Sequence, residues 1–282
     1  MKPGSHPILD SEVKHYLDLV LSSLNTDRIL AIDYAQYDRA WRNWLGSSSY
    51  NSGQALDQMP YSSFCHGTSP AFGEFISRHP QRRIRVSRSD FIISKILAKA
   101  YQRDIVWIED QPLAANDCVI VSMPFSGNGS WLPDIDALLD AADHLGVPVM
   151  IDAAYFGISF GISYPLHRPC VTDFVCSLSK NLYCNDIRVG IRFTKHAVDD
   201  GVSVAQIMAN CFNRLNAVIG IELLNKFSHD WLVNKYLAQY FSICDRLTLT
   251  PTNTLTLALG DESQQEFLRG DYVRVCISDE FC

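Results

Sequence analysis

The spacing of apolar residues predicts alternating helices and strands along most of the chain. Apolar positions at helical spacing predict a helix over residues 11–24, with Ser11 as its N-cap. Further helices are predicted at 71–78, 90–101 and within 203–241, and strands at 83–87 and 105–108. Residues 46–63 are rich in Gly, Ser and Asn, a composition that predicts a loop.

The clearest unit follows in the middle of the chain. Residues 118–123 form a continuous apolar run, residues 134–145 carry one apolar helical face, and residues 147–151 form a second apolar run that ends at Asp152. Buried apolar strands joined by a helix are typical of parallel sheets. We therefore expect an α/β protein with a mostly parallel sheet in a three-layer α/β/α arrangement.

The pattern also suggests how the chain divides. We expect an N-terminal helical segment at 1–45, a large domain at 46–215 and a connecting helix with a small C-terminal domain at 216–282. Two more strands of the large sheet are predicted at 174–177 and 189–193. The tail from residue 247 predicts a small α+β unit, with strands near 255–259 and 272–277.

Composition narrows the class of protein. The chain has 282 residues, of which 47% are hydrophobic and 20% charged, as in an ordinary globular protein. A formal charge of −7 argues against a nucleic-acid surface. One basic cluster, interleaved with Ile84 and Val86, is interpreted as a strand with a charged face; it comprises Arg82, Arg83, Arg85 and Arg88.

The cysteines and the lengths of the apolar runs indicate the cellular compartment of the protein. The nine cysteines are irregularly spaced, without a CxxC pair, and the first residues are polar. These features favour reduced thiols in the cytoplasm over a disulfide framework. No apolar run approaches the length of a membrane span, and no metal site is predicted.

Side chains with charged or hydrogen-bonding groups are predicted to gather at one edge of the sheet. Asp152 ends a buried strand, where a carboxylate needs a cation or a strong donor. The others lie near the end of this strand and of the next strand, or at the start of the strand after that: Tyr155, then Ser177, Ser179 and Lys180, then Arg188. A pyridoxal-5′-phosphate (PLP) site needs such a lysine, anion pocket and carboxylate. Taken singly, each residue is more often a turn, surface or ion-pair residue; taken together, in this order and spacing, they favour the PLP site.

Two segments resemble a known family. Residues 177–190, with Lys180 and Arg188, resemble the cofactor-lysine signature of class I/II aminotransferases, and residues 149–157 are similar to the family's Asp-x-x-Tyr strand end. A weaker resemblance extends from about Gly67 to Arg274. The family has the aspartate aminotransferase-like fold, called fold type I. The resemblance makes the large domain the cofactor-binding one.

The resemblance implies roles for these residues. Lys180 would hold PLP as a Schiff base and move protons, Asp152 would pair with the pyridine nitrogen, and Tyr155 would hydrogen-bond the phenolic oxygen. The phosphate would be held by two groups of residues: Ser177, Ser179 and Arg188, and the turn Gly67, Thr68 and Ser69 at a helix start.

The resemblance also implies site roles for further residues, each of which has an alternative structural interpretation. Phe91 would stack on the cofactor ring, or be an ordinary core residue. Arg274 would bind the substrate α-carboxylate, or be a rim arginine on an edge strand. His66 and Tyr183 are candidates for facing the substrate, although core or loop roles explain them as well.

The sequence departs from the family in two places. Ser126 stands where the family has an asparagine that contacts the phenolic oxygen, and Asn128 is a candidate to replace it. Only about 100 residues follow Lys180, so the small C-terminal domain must be reduced.

Three functions remain open at this stage. The first is an aminotransferase acting on an α-amino acid. The second is another PLP reaction on the same scaffold: elimination or substitution at Cβ or Cγ, cyclisation, decarboxylation or aldol-type cleavage. The third is a cofactor-binding protein without enzymatic activity. The resemblance also implies a homodimer.

Overall fold

The computed structural model describes residues 1, 4–53 and 55–281. Its α-helices are α1 Ser11–Ser23, α2 Thr26–Leu30, α3 Tyr34–Gly46, α4 Ser69–Arg78, α5 Ile93–Ala100, α6 Ile135–Leu145, α7 Gly201–Ala209, α8 Arg214–Lys226 and α9 Trp231–Leu247. Its strands are β1 Ser52–Gly53, β2 Tyr61–Cys65, β3 Arg83–Val86, β4 Ile105–Trp107, β5 Asp117–Ser122, β6 Val149–Ala153, β7 Ser163–Tyr164, β8 Val171–Ser177, β9 Gly190–Thr194, β10 Thr250–Pro251, β11 Leu257–Leu259, β12 Leu268–Arg269 and β13 Tyr272–Cys276.

The main sheet has seven strands in the order β2-β9-β8-β6-β5-β3-β4. β9 runs antiparallel to both of its neighbours, β2 and β8, and the remaining neighbours pair in parallel. The predicted mostly parallel sheet is therefore confirmed. The carboxyl ends of β5, β6 and β8 meet at one edge.

Both faces of the sheet are buried beneath helices. Along β5, Val119 and Val121 belong to a core shared with α1, α3, α6 and α8, whereas Cys118 and Ile120 belong to a core shared with α4 and α5. Side chains alternate between the faces of a strand, so a strand buried on both faces is apolar throughout. The three-layer α/β/α prediction is confirmed.

The C-terminal part forms a smaller unit. Helix α9 packs with an antiparallel sheet in the order β10-β11-β13-β12, and they share a second core. The predicted α+β tail and its two strands are confirmed. The domain boundaries after residues 45 and 215 stay predictions.

Several local predictions need correction. Asp10, not Ser11, caps α1: its carboxylate accepts hydrogen bonds from the backbone N–H groups of Glu12 and Val13, both at 2.9 Å. The carboxylate reaches these N–H groups from the position before the helix, as a cap does. The predicted helix at 90–101 begins only at Ile93, and the predicted loop at 46–63 already contains the start of β2.

The interpretation of β3 as a strand with a charged face is wrong for Arg85. This side chain is 0% exposed, because β3 lies inside the sheet between β4 and β5. Its guanidinium binds the Asp117 carboxylate at 2.6 Å and backbone carbonyls of the 106–112 segment. Burial of an arginine requires such pairing, which the spacing of charges along one strand does not reveal.

Among the helices of residues 1, 4–53 and 55–281, none combines the length and the hydrophobicity that a transmembrane span requires.

Candidate active site

A cavity of about 290 Å³ opens at the sheet edge where β6 and β8 end and α4 begins. This volume is at the lower end of the range of small-molecule pockets, roughly 300–1,000 Å³. Ten of the twelve predicted site residues line it: Thr68, Ser69, Phe91, Ser126, Asp152, Tyr155, Ser177, Ser179, Lys180 and Arg188. The structure thus brings together residues that are widely separated in sequence.

The other two predicted residues lie just behind the cavity wall. Gly67 is in contact with Arg188: a Cβ on Gly67 would lie 2.1 Å from the guanidinium. Arg274 is buried and donates hydrogen bonds to the carbonyl of Ser126 and, at 2.9 Å, to the carbonyl of Gly4. Both Ser126 and Gly4 line the cavity, so Arg274 is one layer away from it.

Asp152 is a buried carboxylate with few partners. It lies in β6 at 3% exposure and accepts hydrogen bonds from the Ala154 N–H at 3.1 Å and from the Thr68 hydroxyl. Burial raises the pKa of Asp152 to about 7, and the nearby Asp90 carboxylate raises it as well. No salt bridge to Asp152 forms among the residues that the structure describes. The carboxylate is therefore poised to accept a cation or a proton-bearing nitrogen.

Lys180 follows β8 and is half-buried at the cavity. Its Nζ donates a hydrogen bond to the backbone carbonyl of Ser5 at 2.5 Å. Gly4 and Ser5 therefore form part of the cavity wall, next to the amine. Among the described residues this carbonyl is the one hydrogen-bond acceptor of Lys180, and an amine held in this way stays accessible for covalent chemistry.

Arg188 supplies the positive end of the cavity. Its guanidinium donates to the Ser179 hydroxyl at 3.1 Å, to the Asn185 carbonyl at 3.1 Å and to the His66 carbonyl at 3.2 Å. None of these acceptors carries a formal charge. Arg188 also has φ = +63°, a strained conformation for a residue with a Cβ. Such strain is found at functional sites, where the surrounding fold holds it in place.

The N terminus of α4 faces the same end of the cavity. Thr68 precedes the helix and makes no capping hydrogen bond with its side chain, and Ser69 is the first helical residue. Both line the cavity with Arg188. A helix N terminus beside a guanidinium is a favourable environment for a phosphate or carboxylate.

In the loop after β5, Asn128 does not replace the asparagine that the family has at this site. Its amide donates to the Trp131 carbonyl and accepts from the Ser130 N–H, so it stabilises the turn and does not line the cavity. Ser126 lines the cavity but has a shorter side chain than asparagine, and its hydroxyl lies 3.3 Å from an Arg274 nitrogen. The family's amide contact therefore has no counterpart from this loop.

Two weaker candidates lie outside the cavity. The His66 side chain is exposed and stacks edge-on against Phe64, with ring centroids 5.0 Å apart. Tyr183 packs against the main core. Neither side chain lines the cavity, which supports the loop and core interpretations.

Sequence reasoning missed several lining residues: Gly4, Ser5, Ser122, Ala154, Asn185 and Arg269. Ala154 and Asn185 lie inside the recognised segments, so proximity to the motifs could have suggested them. Ser122 is opposite Asp152 in the register of β5 and β6. Gly4, Ser5 and Arg269 belong to no motif, and tertiary packing alone brings them to the site.

Comparison with known proteins gives the fold. No protein-family model matches the sequence, and no curated protein matches it. The PLP-bound C–S lyase from Staphylococcus hominis matches with a TM-score of 0.71 at 12% identity, covering 95% of this chain and 85% of that chain. The histidinol-phosphate aminotransferase from Clostridium acetobutylicum matches at 0.61 and 14% identity, covering 91% of this chain and 81% of that chain.

A third structure adds a different chemistry. The PLP-dependent cyclase OrfR, in complex with Au, matches with a TM-score of 0.64 at 17% identity, covering 93% of this chain and 76% of that chain. The chain thus has the fold of PLP-dependent enzymes of fold type I, as its sequence motifs predicted. A shared fold does not determine the reaction, since these three neighbours carry different activities in their names.

Proposed function

We propose that this protein is a PLP-dependent enzyme that acts on an α-amino acid, with Lys180 as the covalent attachment point of the cofactor. One observation carries the proposal: a single cavity is lined by Lys180, Asp152, Tyr155 and Arg188. These are the residues that resemble the cofactor site of class I/II aminotransferases. Retention of all four also argues against a cofactor-binding protein without activity.

The residues suit the chemical groups of the cofactor. The buried Asp152 carboxylate has no described cation partner, and a protonated pyridine nitrogen would supply one. Arg188, the Ser177 and Ser179 hydroxyls and the start of α4 would hold the phosphate. Phe91 lines the same cavity and offers an apolar face for the ring.

The chemistry divides between the cofactor and the protein. PLP, when bound, supplies an electron sink for the bond that breaks at the substrate Cα. Lys180 Nζ would act first as a general base that accepts the proton from the substrate Cα. It would then act as a general acid that donates this proton back to the reacting molecule. Asp152 would keep the proton on the pyridine nitrogen, and Tyr155 would donate a hydrogen bond to the phenolic oxygen. Arg274 would bind the α-carboxylate in place of the Gly4 carbonyl, the lining group to which its guanidinium now donates.

The test of the proposal is direct. We expect purified protein mixed with PLP to develop a yellow absorption band that borohydride bleaches, and peptide mapping to place the pyridoxyl group on Lys180. Correctly folded protein that gives no band and no adduct would show that the motifs reflect ancestry rather than activity.

Within this class we propose an aminotransferase, because the lysine and strand-end motifs both resemble that family. The alternative is a lyase, cyclase or substitution enzyme of specialised metabolism. It is favoured by Ser126, since the loop supplies no amide to the cavity in the described structure. Each amino acid would be screened with the loaded protein. Release of an oxo acid with conversion to the pyridoxamine form supports transamination, whereas pyruvate, ammonia or a cyclic product without that conversion supports the alternative.

A prediction about cofactor affinity arises from Gly67. This residue has φ = +78°, and a Cβ would lie 2.1 Å from Arg188 Nη2. Gly67→Ala is therefore expected to displace the guanidinium and weaken PLP binding by about tenfold or more, the scale of one lost charge-assisted contact. Equilibrium titration of the cofactor measures the change.

Gly146→Ala is the matched control for this variant. Gly146 also has a left-handed backbone, with φ = +62°, but a Cβ there would meet nothing within 4 Å. Its replacement should cost stability through backbone strain alone and leave cofactor affinity unchanged. Equal losses of affinity in the two variants would mean that strain, not the contact with Arg188, is responsible.

We also propose a homodimer in the cytoplasm, with a cofactor-binding domain at 46–215 between an N-terminal helical segment and a reduced small domain. The dimer is supported by the end of α7, where Ile207 and Met208 are 76% and 82% exposed. Large exposed apolar side chains are typical of protein interfaces. The molar mass in solution tests it.

A further inference from the structure

An arginine without an acidic partner lies in the cavity wall. Arg269, in β12, lines the cavity together with Lys180 and Arg188. Among residues 1, 4–53 and 55–281 it forms no salt bridge, and its one hydrogen bond is a 3.4 Å contact to the Asp90 carbonyl. A contact of that length is weak. The guanidinium is therefore free to bind a ligand in the cavity.

Arg269 and Arg274 form a pair on one face of the small sheet. Arg269 lies opposite Tyr272 in the β12–β13 register, and Arg274 shares a face with Tyr272 two residues along. Diagonal neighbours on one face of a sheet come within reach of long side chains. Arg274 is 2% exposed, and its Nε has no hydrogen-bond partner in the described structure.

Electrostatics at this pair favour an incoming anion. Burial lowers the pKa of the Arg269 guanidinium, and the positive charge of Arg274 lowers it further; Tyr155 and Asp90 act in the opposite direction. Two adjacent positive charges repel each other, and among the described residues no carboxylate forms a salt bridge with either of them, so a bound anion would reduce that repulsion.

The position of Arg269 is held by packing. The next residue, Gly270, has φ = +60°, and a Cβ there would lie 2.0 Å from the Ser89 hydroxyl. The Asp271 N–H also donates to that hydroxyl at 3.3 Å. The β12–β13 turn is thus pressed against the loop that leads to Phe91. This contact keeps Arg269 in the cavity wall instead of in solvent.

We propose that Arg269 binds a second anionic group of the substrate, so that the site selects an α-amino acid whose side chain carries a carboxylate, sulfonate or phosphate. This inference rests on the proposed function, in which Lys180 and Arg188 hold the cofactor and Arg274 binds the α-carboxylate. Arg269 then remains as a lining cation without a partner. The chain carries a formal charge of −7, so attraction of such a substrate requires local positive charge.

The experiment uses protein loaded with PLP and compares ligands with the same four-atom backbone, counting phosphorus or sulfur as one backbone atom, by calorimetric titration at fixed low salt. Butyrate has one carboxylate, succinate has two, and 3-phosphonopropanoate and 3-sulfopropanoate replace the second with phosphonate or sulfonate. We expect the best dianion to bind at least about tenfold more tightly than butyrate, the scale of one charge-assisted contact. The ranking of the three dianions identifies the second group.

Variants assign the preference to Arg269. Arg269→Gln should reduce the dianion-to-butyrate ratio to about one while butyrate affinity stays within about twofold, and Arg269→Lys should retain part of the ratio. Arg88→Gln is the control, because Arg88 is exposed and pairs with Asp110 outside the cavity.

The outcomes separate the two proposals. If the protein takes up no PLP at Lys180, the proposed function fails and the substrate assignment fails with it. If loaded protein binds butyrate and every dianion equally, or if Arg269→Gln weakens all four ligands alike, only the role of Arg269 is overturned.

Discussion

Replacement of Lys180 by alanine is expected to remove the borohydride-stable attachment of PLP and to lower turnover by at least about 10³-fold, in the range of a lost general base. The side chain lines the cavity, and its only described hydrogen bond is to the Ser5 carbonyl. Loss of one such bond should change the unfolding free energy by only about 1 kcal/mol. The variant should therefore fold normally but lose cofactor attachment and catalysis.

The matched control is Lys99→Ala, since Lys99 is exposed on α5 and does not line the cavity. It should retain both the adduct and the activity. Mass spectrometry of borohydride-treated protein, together with the melting temperature of each variant, distinguishes a chemical defect from a folding defect. An adduct on a different lysine in the parent protein would contradict the assignment.

Asp152→Asn is expected to lower turnover by about 10²–10³-fold, the scale seen when one preorganised electrostatic group is removed from an active site. An amide has the shape of the carboxylate but no negative charge to hold a proton on the pyridine nitrogen. The hydrogen bond from the Ala154 N–H can still form to the amide oxygen. Steady-state kinetics, together with the absorption spectrum of the loaded variant, measure the effect.

The same substitution should stabilise the protein when the cofactor is absent and the pH is high. The pKa of Asp152 is raised from 3.8 to about 7, chiefly by burial. Between these values the folded chain keeps the proton that the unfolded chain has released, so stability falls as the pH rises through this window. The full penalty is on the order of 4 kcal/mol above pH 7, at about 1.4 kcal/mol for each pKa unit.

Urea unfolding of cofactor-free protein at pH 5 and pH 8 tests this sign. The advantage of the asparagine variant over the parent should grow between the two pH values. Asp245→Asn, on the exposed side of α9, should show no such trend. The same difference at both pH values would mean that the Asp152 carboxyl does not titrate in this window.

Much of the fold was predictable from local pattern. Apolar periodicity located α6 and the strands β5 and β6, because burial on both faces of a parallel sheet demands uninterrupted apolar runs. It placed the start of α5 incorrectly. Asp90 was counted as helical, but its carboxylate accepts hydrogen bonds from the Ser122 and Phe91 N–H groups, at 2.9 and 2.6 Å, and so holds a turn.

The charge pattern was less informative than the apolar pattern. Four arginines near β3 look alike in sequence, yet Arg85 is fully buried against Asp117 whereas Arg88 is exposed. The difference depends on which strands lie on either side of β3, and therefore on long-range pairing. Charge spacing within one segment carries no information about that pairing.

The sequence by itself determined the fold class and the main candidate site residues, because Lys180, Arg188, Asp152 and Tyr155 lie within two short segments whose spacing is specific. Only the tertiary structure decided which other groups share the cavity. The Ser5 carbonyl beside Lys180 and the Arg269 guanidinium come from opposite ends of the chain. Contact of the β12–β13 turn with the loop before Phe91 positions Arg269, and no local sequence signal encodes a contact formed by such distant segments.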